Sequence, residues 1–346
     1  MGYRGPGCRV SELKFGVGLG YWQRDPEDRT DMVLAAEDLG FHSVWTAEAY
    51  GSDALVPLTW YAARTSRIML GTAIMQLDAR TPAATAMAAM TLDALSGGRL
   101  ILGLGVSGPQ IIEGWYGRPF PKPLARTRDY VAILRDIWAR REPVTSDSPH
   151  YPLPYPGGTG LGKPLKSITR PLREDIPVFL GAQGPKNTAL AFEIADGWIS
   201  VFSHIDAFAP MYGDLLAERR EGFEVTACLN TYVDDDVHAA MRRAKASMAW
   251  YVGGMGAAGE NYHVNVLRRA GFGDTADRVQ ELFLAGHREE AIDAIDDDLI
   301  DGTALIGPPR RIARQLEPWR ATPLSTVILT GLRSAEEVRA LRPVLW

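Results

Sequence analysis

Residues 176–201, IPVFLGAQGPKNTALAFEIADGWISV, constrain the fold more than any other stretch. A short apolar run from Ile176 to Leu180 breaks at Gly181 and Gly184, helix-forming residues follow from Asn187 to Ala195, and a second apolar run covers Trp198 to Val201. That order predicts strand, turn, helix, strand. Two strands joined through one helix lie parallel with a right-handed crossover, so both end at the same edge of a sheet. The glycine-rich turn sits at that edge and opens the helix. Unpaired N–H groups and the positive end of the helix dipole suit an anion there. Ala182, Gln183, Gly184 and Pro185 are therefore a candidate phosphate seat, and Lys186 adds a full charge beside it. Taken alone, the glycines fit an ordinary tight βα turn equally well, and both readings stay open at this point. The dinucleotide fingerprint is excluded: its GxG core is missing and no acidic residue ends the next strand to hold a ribose.

Strand-plus-helix units recur along the chain. Strands are predicted at Lys14–Leu19, Phe41–Thr46, Ile68–Ile74, Leu100–Val106, the two in the opening unit, Glu224–Val233 and Ser325–Thr330. Asp25-Pro26 is expected to start a helix that Gly40 stops, and Thr81-Pro82 to start another that ends at Gly97-Gly98. Asp129–Arg140 reads as an amphipathic helix, and Gly307-Pro308-Pro309 as the start of one more. Eight such steps predict an α/β protein, a single (β/α)8 TIM barrel over residues 1–346 with insertions, whose site lies at the C-terminal strand ends.

Two stretches break the rhythm. Residues 142–173 are rich in Pro and Gly and too long for an ordinary connection, which predicts a lid-like or partner-contact loop. Within it, GGTGLGKP at Gly157–Pro164 imitates a phosphate loop, but no strand precedes it and Pro164 replaces the residue that would hold magnesium. Residues 234–300 read as a helical excursion after the seventh strand, with Asp296–Asp298 a solvated surface rather than a metal site.

The chain has 346 residues, 46% of them hydrophobic, enough for a sizeable core. A net charge of −5 without a basic run argues against nucleic acid as a partner. Cys8 and Cys228 are too few and too separated for a disulfide framework or a thiolate metal site, which fits a reducing compartment. The first residues lack a signal-peptide core and no segment has the length and apolarity of a membrane span, so a cytoplasmic enzyme without a membrane partner is expected.

At the C-terminal face a barrel would gather Tyr21 and Trp22, residues 48–53, Met75 and Gln76, residues 106–113, Ala182–Pro185, Ser203 and His204, and residues 331–333. This inventory is aromatic, amide and glycine. It holds no zinc spacing, no nucleophile elbow and no Ser or Cys with an obvious base, which suits a large planar cofactor that carries the chemistry.

Four segments, VWTAEAYGSDALVPL, RIMLGTAI, LDALSGGRLILGLGVSGPQIIEGWYG and FLGAQGPKNTALAFEIADGWIS, carry a resemblance in their order and spacing. The chain resembles the bacterial-luciferase-like superfamily, in its coenzyme F420-dependent oxidoreductase branch, over nearly its whole length. The resemblance implies a barrel with insertions, a homodimer, and a deazaflavin that carries hydride rather than single electrons. It implies that Glu48 lies near the deazaflavin ring at the end of strand two, and that Ala73-Ile74 forms a bulge with a non-proline cis peptide behind it. It further implies that Gln76 reaches the ring's polar edge, that Val106, Ser107 and Gly108 flank it, and that Ala182–Pro185 hold the cofactor phosphate.

Departures from the pattern are informative. Where the family's sugar-phosphate dehydrogenases carry a His after the strand-two acid, this chain has Ala49; their acid after strand four becomes Pro109, and a substrate-phosphate Lys becomes His204. A glucose-6-phosphate dehydrogenase is therefore not expected. Candidate replacements for the acid–base pair are Glu48, Glu113 and His204, with Glu48 either a proton donor or a cofactor partner and His204 a site residue or a surface histidine. Trp22, Tyr50, Trp115 and Tyr116 are candidates for lining a substrate cleft, or for core or interface packing. The reading is a hydride transferase that uses F420 on a small molecule, with an FMN-dependent monooxygenase and a non-catalytic F420-binding protein as alternatives.

Overall fold

Parallel pairing governs the architecture. The computed structural model describes residues 13–255 and 261–345. Its strands are β1 (Lys14–Gly20), β2 (Ser43–Thr46), β3 (Met69–Thr72), β4 (Met75–Gln76), β5 (Leu100–Gly105), β6 (Val178–Gly181), β7 (Gly197–Val201), β8 (Glu224–Val233), β9 (Ala304–Gly307) and β10 (Thr326–Thr330). They run β10-β1-β2-β3-β5-β6-β7-β8, and β8 pairs back onto β10, with Leu329 opposite Leu229. The result is a closed eight-stranded parallel barrel wrapped by helices, a (β/α)8 TIM barrel. Closure removes both sheet edges and brings every strand's C-terminal end to one rim.

The barrel interior is filled by Trp45, Ile101, Phe179, Ile199 and Ile328, all buried. Trp45 on β2 meets Phe179 on β6 with ring centroids 6.1 Å apart. Neighbouring strands make room with glycine: a Cβ on Gly71 would fall 2.1 Å from Trp45 Cε3, and one on Gly16 2.7 Å from Trp45 Nε1. The indole N–H donates to Ser43 Oγ at 2.8 Å, so the ring is held in one orientation.

Several expected boundaries move. The helix expected to start at Asp25-Pro26 spans Thr30–Leu39, because Asp28 Oδ1 accepts from both the backbone N–H and the hydroxyl of Thr30 and holds the preceding residues as a loop. Gly40 stops this helix at φ 84°. The single strand expected over Ile68–Ile74 is split into β3 and β4 at Ala73–Ile74, whose peptide bond is cis. A strand not expected from the sequence, β9, pairs with the upper half of β8 from Asn230↔Ala304 to Val233↔Gly307. Four residues between a helix and Gly-Pro-Pro carry little local strand signal, and the pairing with β8 supplies it.

Residues 142–173 leave the end of helix 123–139 and return to β6. Isolated antiparallel bridges join Val144 to Leu165 and Ser146 to Leu153. Their fastenings reach the outer helices: Tyr151 packs edge-on to Tyr130 at 5.5 Å, Arg140 Nε donates to the Ser167 carbonyl at 2.7 Å, and Arg173 Nε donates to Asp93 Oδ2 at 3.1 Å. The excursion after β8 folds as helices 237–254, 262–269, 273–284, 288–293 and 297–303 around its own core, which includes Met248, Val252, Leu267, Val279 and Leu299.

Gly71→Ala tests the interior packing. The added methyl overlaps a ring that three strands hold in place, so the unfolding free energy should fall by about 1–3 kcal/mol in urea denaturation. An unchanged midpoint would mean that Trp45 is free to move aside.

Candidate active site

The rim at the C-terminal ends of β2, β4 and β5 carries the densest polar network of the mouth. Glu48 follows β2, its backbone N–H donating to the Ile74 carbonyl at 3.0 Å. Its carboxylate is only 6% exposed and is gripped by Arg80 Nη1, 3.1 and 3.0 Å from its two oxygens. Arg80 reaches on through Nη2 to Asp53. Asp53 Oδ1 in turn accepts the N–H groups of Leu55 and Val56 at 2.7 Å each, which ties the network to the start of helix 55–62. Both oxygens of the carboxylate thus serve as hydrogen-bond acceptors for the guanidinium.

Tyr116 closes the network from the β5 side. Its hydroxyl donates to Glu48 Oε1 at 3.4 Å and lies 3.5 Å from the Ala49 carbonyl. Helix 109–114 is anchored by buried Ile112, and the N–H groups of Trp115 and Tyr116 both return to the Ile111 carbonyl, which swings Tyr116 back over the rim. Burial, reinforced by the neighbouring Glu48 charge, pushes the Tyr116 phenol up to about 12.

Beside this network, Gln76 is buried on β4 and donates through Nε2 to Ser107 Oγ at 3.0 Å. Its Oε1 is buried and has no hydrogen-bond partner among the described residues. An unpaired buried acceptor is costly, and an N–H or O–H on the edge of a bound planar group would satisfy it. Ser107 holds a left-handed φ of 58°, and Val106 and Gly108 on either side are half-buried. Ile74 packs between β5 and β6, where a Cβ on Gly105 or Gly181 would come within 2.9 or 2.7 Å of it.

The turn after β6 meets the geometric requirements of an anion seat. Helix 185–194 starts at Pro185, its N-cap Gly184 offers no side-chain acceptor, and Lys186 is exposed beside it. First-turn N–H groups are left for an anion. The helical excursion fastens this turn from above: Arg269 donates to the Gln183 carbonyl, and Gln183 Nε2 faces His263 Nδ1 at 3.4 Å. His263 is packed between Phe202 and Tyr251, with centroids 5.1 and 5.3 Å away. Neither Arg80 nor this histidine stood out in the sequence. Arg80 was detectable only as a charge at the end of the loop after β4, and His263 belongs to no spaced set.

The remaining candidates lie apart from Glu48. His204 is buried as the N-cap of helix 205–217, its Nδ1 accepting the Asp206 N–H at 3.3 Å, with the ring against Phe272 at 4.8 Å and against Gly302, where a Cβ would come within 2.0 Å of Nε2. Both of its faces and its Nδ1 are thus engaged in packing and capping. Glu113 is exposed on helix 109–114. Trp22 is half-buried, its backbone N–H donating to Ser52 Oγ at 2.9 Å, whereas Tyr50 and Trp115 stand out into solvent.

A TIM barrel whose mouth offers an anion seat, an unpaired amide oxygen and few titratable groups defines an enzyme that works with a bound cofactor. The chain belongs to the luciferase-like monooxygenase family, whose model matches residues 12–326. A Mycobacterium tuberculosis protein provisionally named a coenzyme F420-dependent oxidoreductase is 50% identical over 341 residues, covering 95% of this chain and 98% of its own. The 5,10-methylenetetrahydromethanopterin reductase of Archaeoglobus fulgidus is 28% identical over 86% of this chain and 87% of its own. The structure of the coenzyme F420 dependent tetrahydromethanopterin reductase from Methanopyrus kandleri superposes with a TM-score of 0.76 at 25% identity, covering 96% of this chain and 98% of that one.

His263 makes the anchoring of the turn after β6 sensitive to acid. Burial lowers its pKa from 6.5 to about 4, so the unfolded chain binds this proton more readily than the folded one. The associated stability is complete above pH 6.5 and is lost as pH falls toward 4. Between pH 7 and pH 5 the loss should be about 2 kcal/mol in denaturant titrations, and His263→Phe should flatten that slope while keeping the ring packing. Equal slopes in the two proteins would assign the acid sensitivity elsewhere.

Proposed function

We propose that this protein transfers a hydride between coenzyme F420 and an activated C=C, C=N or carbonyl group of a small, uncharged or weakly charged organic molecule in the cytoplasm. The protein is an oxidoreductase and F420 is its cofactor. The observation that carries the reading is the 50% identity, over almost the full length of both chains, to a relative whose name assigns it to the F420-dependent oxidoreductases. The site supports it: an unpaired Gln76 oxygen, an uncapped helix start at Ala182–Pro185, and a rim without metal-ligand spacing suit a planar, phosphate-bearing hydride carrier.

Bound F420 supplies the two-electron hydride chemistry. The chain's own residues divide the remaining work. Ala182, Gln183, Gly184 and Pro185 would hold the phosphate, with Lys186 adding charge. Gln76 would accept a hydrogen bond from the ring edge, and Ala73, Ile74, Val106, Ser107 and Gly108 would shape its bed. Glu48, held by Arg80, would fix the mouth's polar edge, and Trp22, Tyr50, Trp115 and Tyr116 would border the substrate.

The family description also names monooxygenases, so FMN is the rival cofactor. Fluorescence titration of the apo protein with F420 and, separately, FMN decides between them. F420 binding at micromolar concentration with FMN at least tenfold weaker is expected; the reverse order would move the protein to oxygen chemistry, and binding of neither would remove the anion seat from consideration.

We also propose a homodimer. Helix 55–62 exposes Val56 and Trp60, helix 82–96 exposes Met87 and Leu95, and the long loop exposes Leu165 and Ile168, the last at 96%. Helices 55–62 and 82–96 pack together and the loop is fastened to the latter, so these residues belong to neighbouring parts of one outer wall. Light scattering should return a dimer for the wild type and a monomer for the double variant Leu95→Glu, Ile168→Glu. A monomeric wild type would leave this wall without a partner copy.

A further inference from the structure

The proposed reaction needs a proton as well as a hydride whenever a carbonyl or conjugated alkene is reduced, and among the groups around Glu48 and the sequence candidates for the acid–base pair one has suitable chemistry. Arg80 does not release a proton in the working range of a protein. Glu48 has both oxygens on Arg80 Nη1 and is an acceptor. Ala49 carries no titratable group, and Pro109 stands where the sugar-phosphate dehydrogenases carry their acid. Glu113 is exposed, and His204 is engaged as a helix cap. Tyr116 remains, half-buried, with its hydroxyl at Glu48 Oε1 and the adjoining Ala49 carbonyl.

Local structure explains why the phenol arrives there. Pro109 begins a helix instead of offering an acid, and that short helix, held by Ile112 and ended at Trp115, returns the chain to the rim one residue later. Gly117 then takes φ 60° and the Arg118 N–H donates to the Ile112 carbonyl at 3.1 Å, which locks the return. The loop that lacks the acid thus delivers a hydroxyl to the end of β2, two places along the barrel wall. Contacts at 3.4 and 3.5 Å are long for hydrogen bonds, so the hydroxyl is poised rather than spent on its protein partners.

Resting on the F420 reading, we infer that Tyr116 is the proton donor of the reaction and that Glu48, oriented by Arg80 and Asp53, is its positioning partner. In the balanced step a C–H bond forms at the electrophilic carbon of the substrate with the hydride of reduced F420, and the π pair moves to the substrate oxygen or α-carbon. The O–H bond of Tyr116 breaks to place a proton there. Reduced F420 is the two-electron donor and ends as oxidised F420 with one proton released to water, from which Tyr116 is reprotonated. Burial, reinforced by the neighbouring Glu48 carboxylate, raises the Tyr116 phenol and so favours its protonated form at rest.

The test loads wild type and Tyr116→Phe with reduced F420 and reads three quantities. They are the F420 dissociation constant by fluorescence, the single-turnover rate at 420 nm with 2-cyclohexen-1-one and with cyclohexanone as probes, and the solvent deuterium isotope effect. Tyr116→Phe should bind F420 within about twofold of wild type, lose about 100-fold or more in rate, and lose the isotope effect on what remains. Glu48→Gln should keep part of the rate, because it keeps a hydrogen-bond acceptor. An unchanged rate in Tyr116→Phe, or lost F420 binding in it, overturns the assignment while leaving the cofactor reading intact. A wild type that binds no F420 overturns the cofactor reading itself, and one that binds it but reduces neither probe overturns the proton-donor role for this substrate class.

Discussion

Barrel closure between β8 and β10 is the constraint on which the molecule depends. Once Thr226–Asn230 pair with Thr326–Thr330, the parallel strands have no free edge and their C-terminal ends share one rim. Residues far apart in sequence become neighbours on that rim where their strands pair side by side: Glu48, Arg80 and Tyr116 meet across three strand-end loops, and Gln76 meets Ser107. The interior must be filled without blocking the mouth, and Trp45 does this because Gly16 and Gly71 leave space for an indole on their side of the wall.

Electrostatics at the rim follow from a charge count that does not balance locally. Glu48 and Asp53 share Arg80, so the network carries one excess negative charge under partial burial. Such a network repels anionic substrates and raises the cost of ionising Tyr116, both of which suit a neutral electrophile and a protonated phenol. The positive elements, Lys186 and the helix start at Pro185, stand on the other side of the mouth after β6. Charge is thus segregated, with Lys186 and the helix start after β6 and the carboxylates Glu48 and Asp53 after β2.

The helical excursion is coupled to that seat through Gln183, which receives Arg269 and faces His263, and it reaches the β1 side of the mouth where Tyr251 lies against Tyr21. It has its own core and therefore its own stability, yet its fastening to the turn after β6 runs through a small number of polar contacts. A histidine whose pKa burial lowers, packed among aromatic rings, is one of them, so acid acts directly on this junction.

The alternation of apolar runs and amphipathic helices was enough to read the barrel and its eight wall strands, because a buried parallel strand must be apolar and must be followed by a helix that covers it. The turn at Ala182–Pro185 was legible for the same local reason: glycines, a proline and a helix start lie in one stretch of chain. The start of the first helix was misplaced because a side-chain bond from Asp28 outweighs the preference of Asp25-Pro26, and β9 was missed because four residues became a strand only by pairing with β8. Arg80, His263 and the burial of His204 as a cap were not legible, since a single charged or imidazole side chain carries no periodic signal and acquires a role only from what surrounds it. What the sequence by itself determined is therefore the repeating unit and the glycine-containing turn that opens helix 185–194. The tertiary structure alone decided which carboxylate, guanidinium and phenol share the rim, because contacts between separate strand ends come from the side-by-side pairing of those strands in the sheet and not from local pattern.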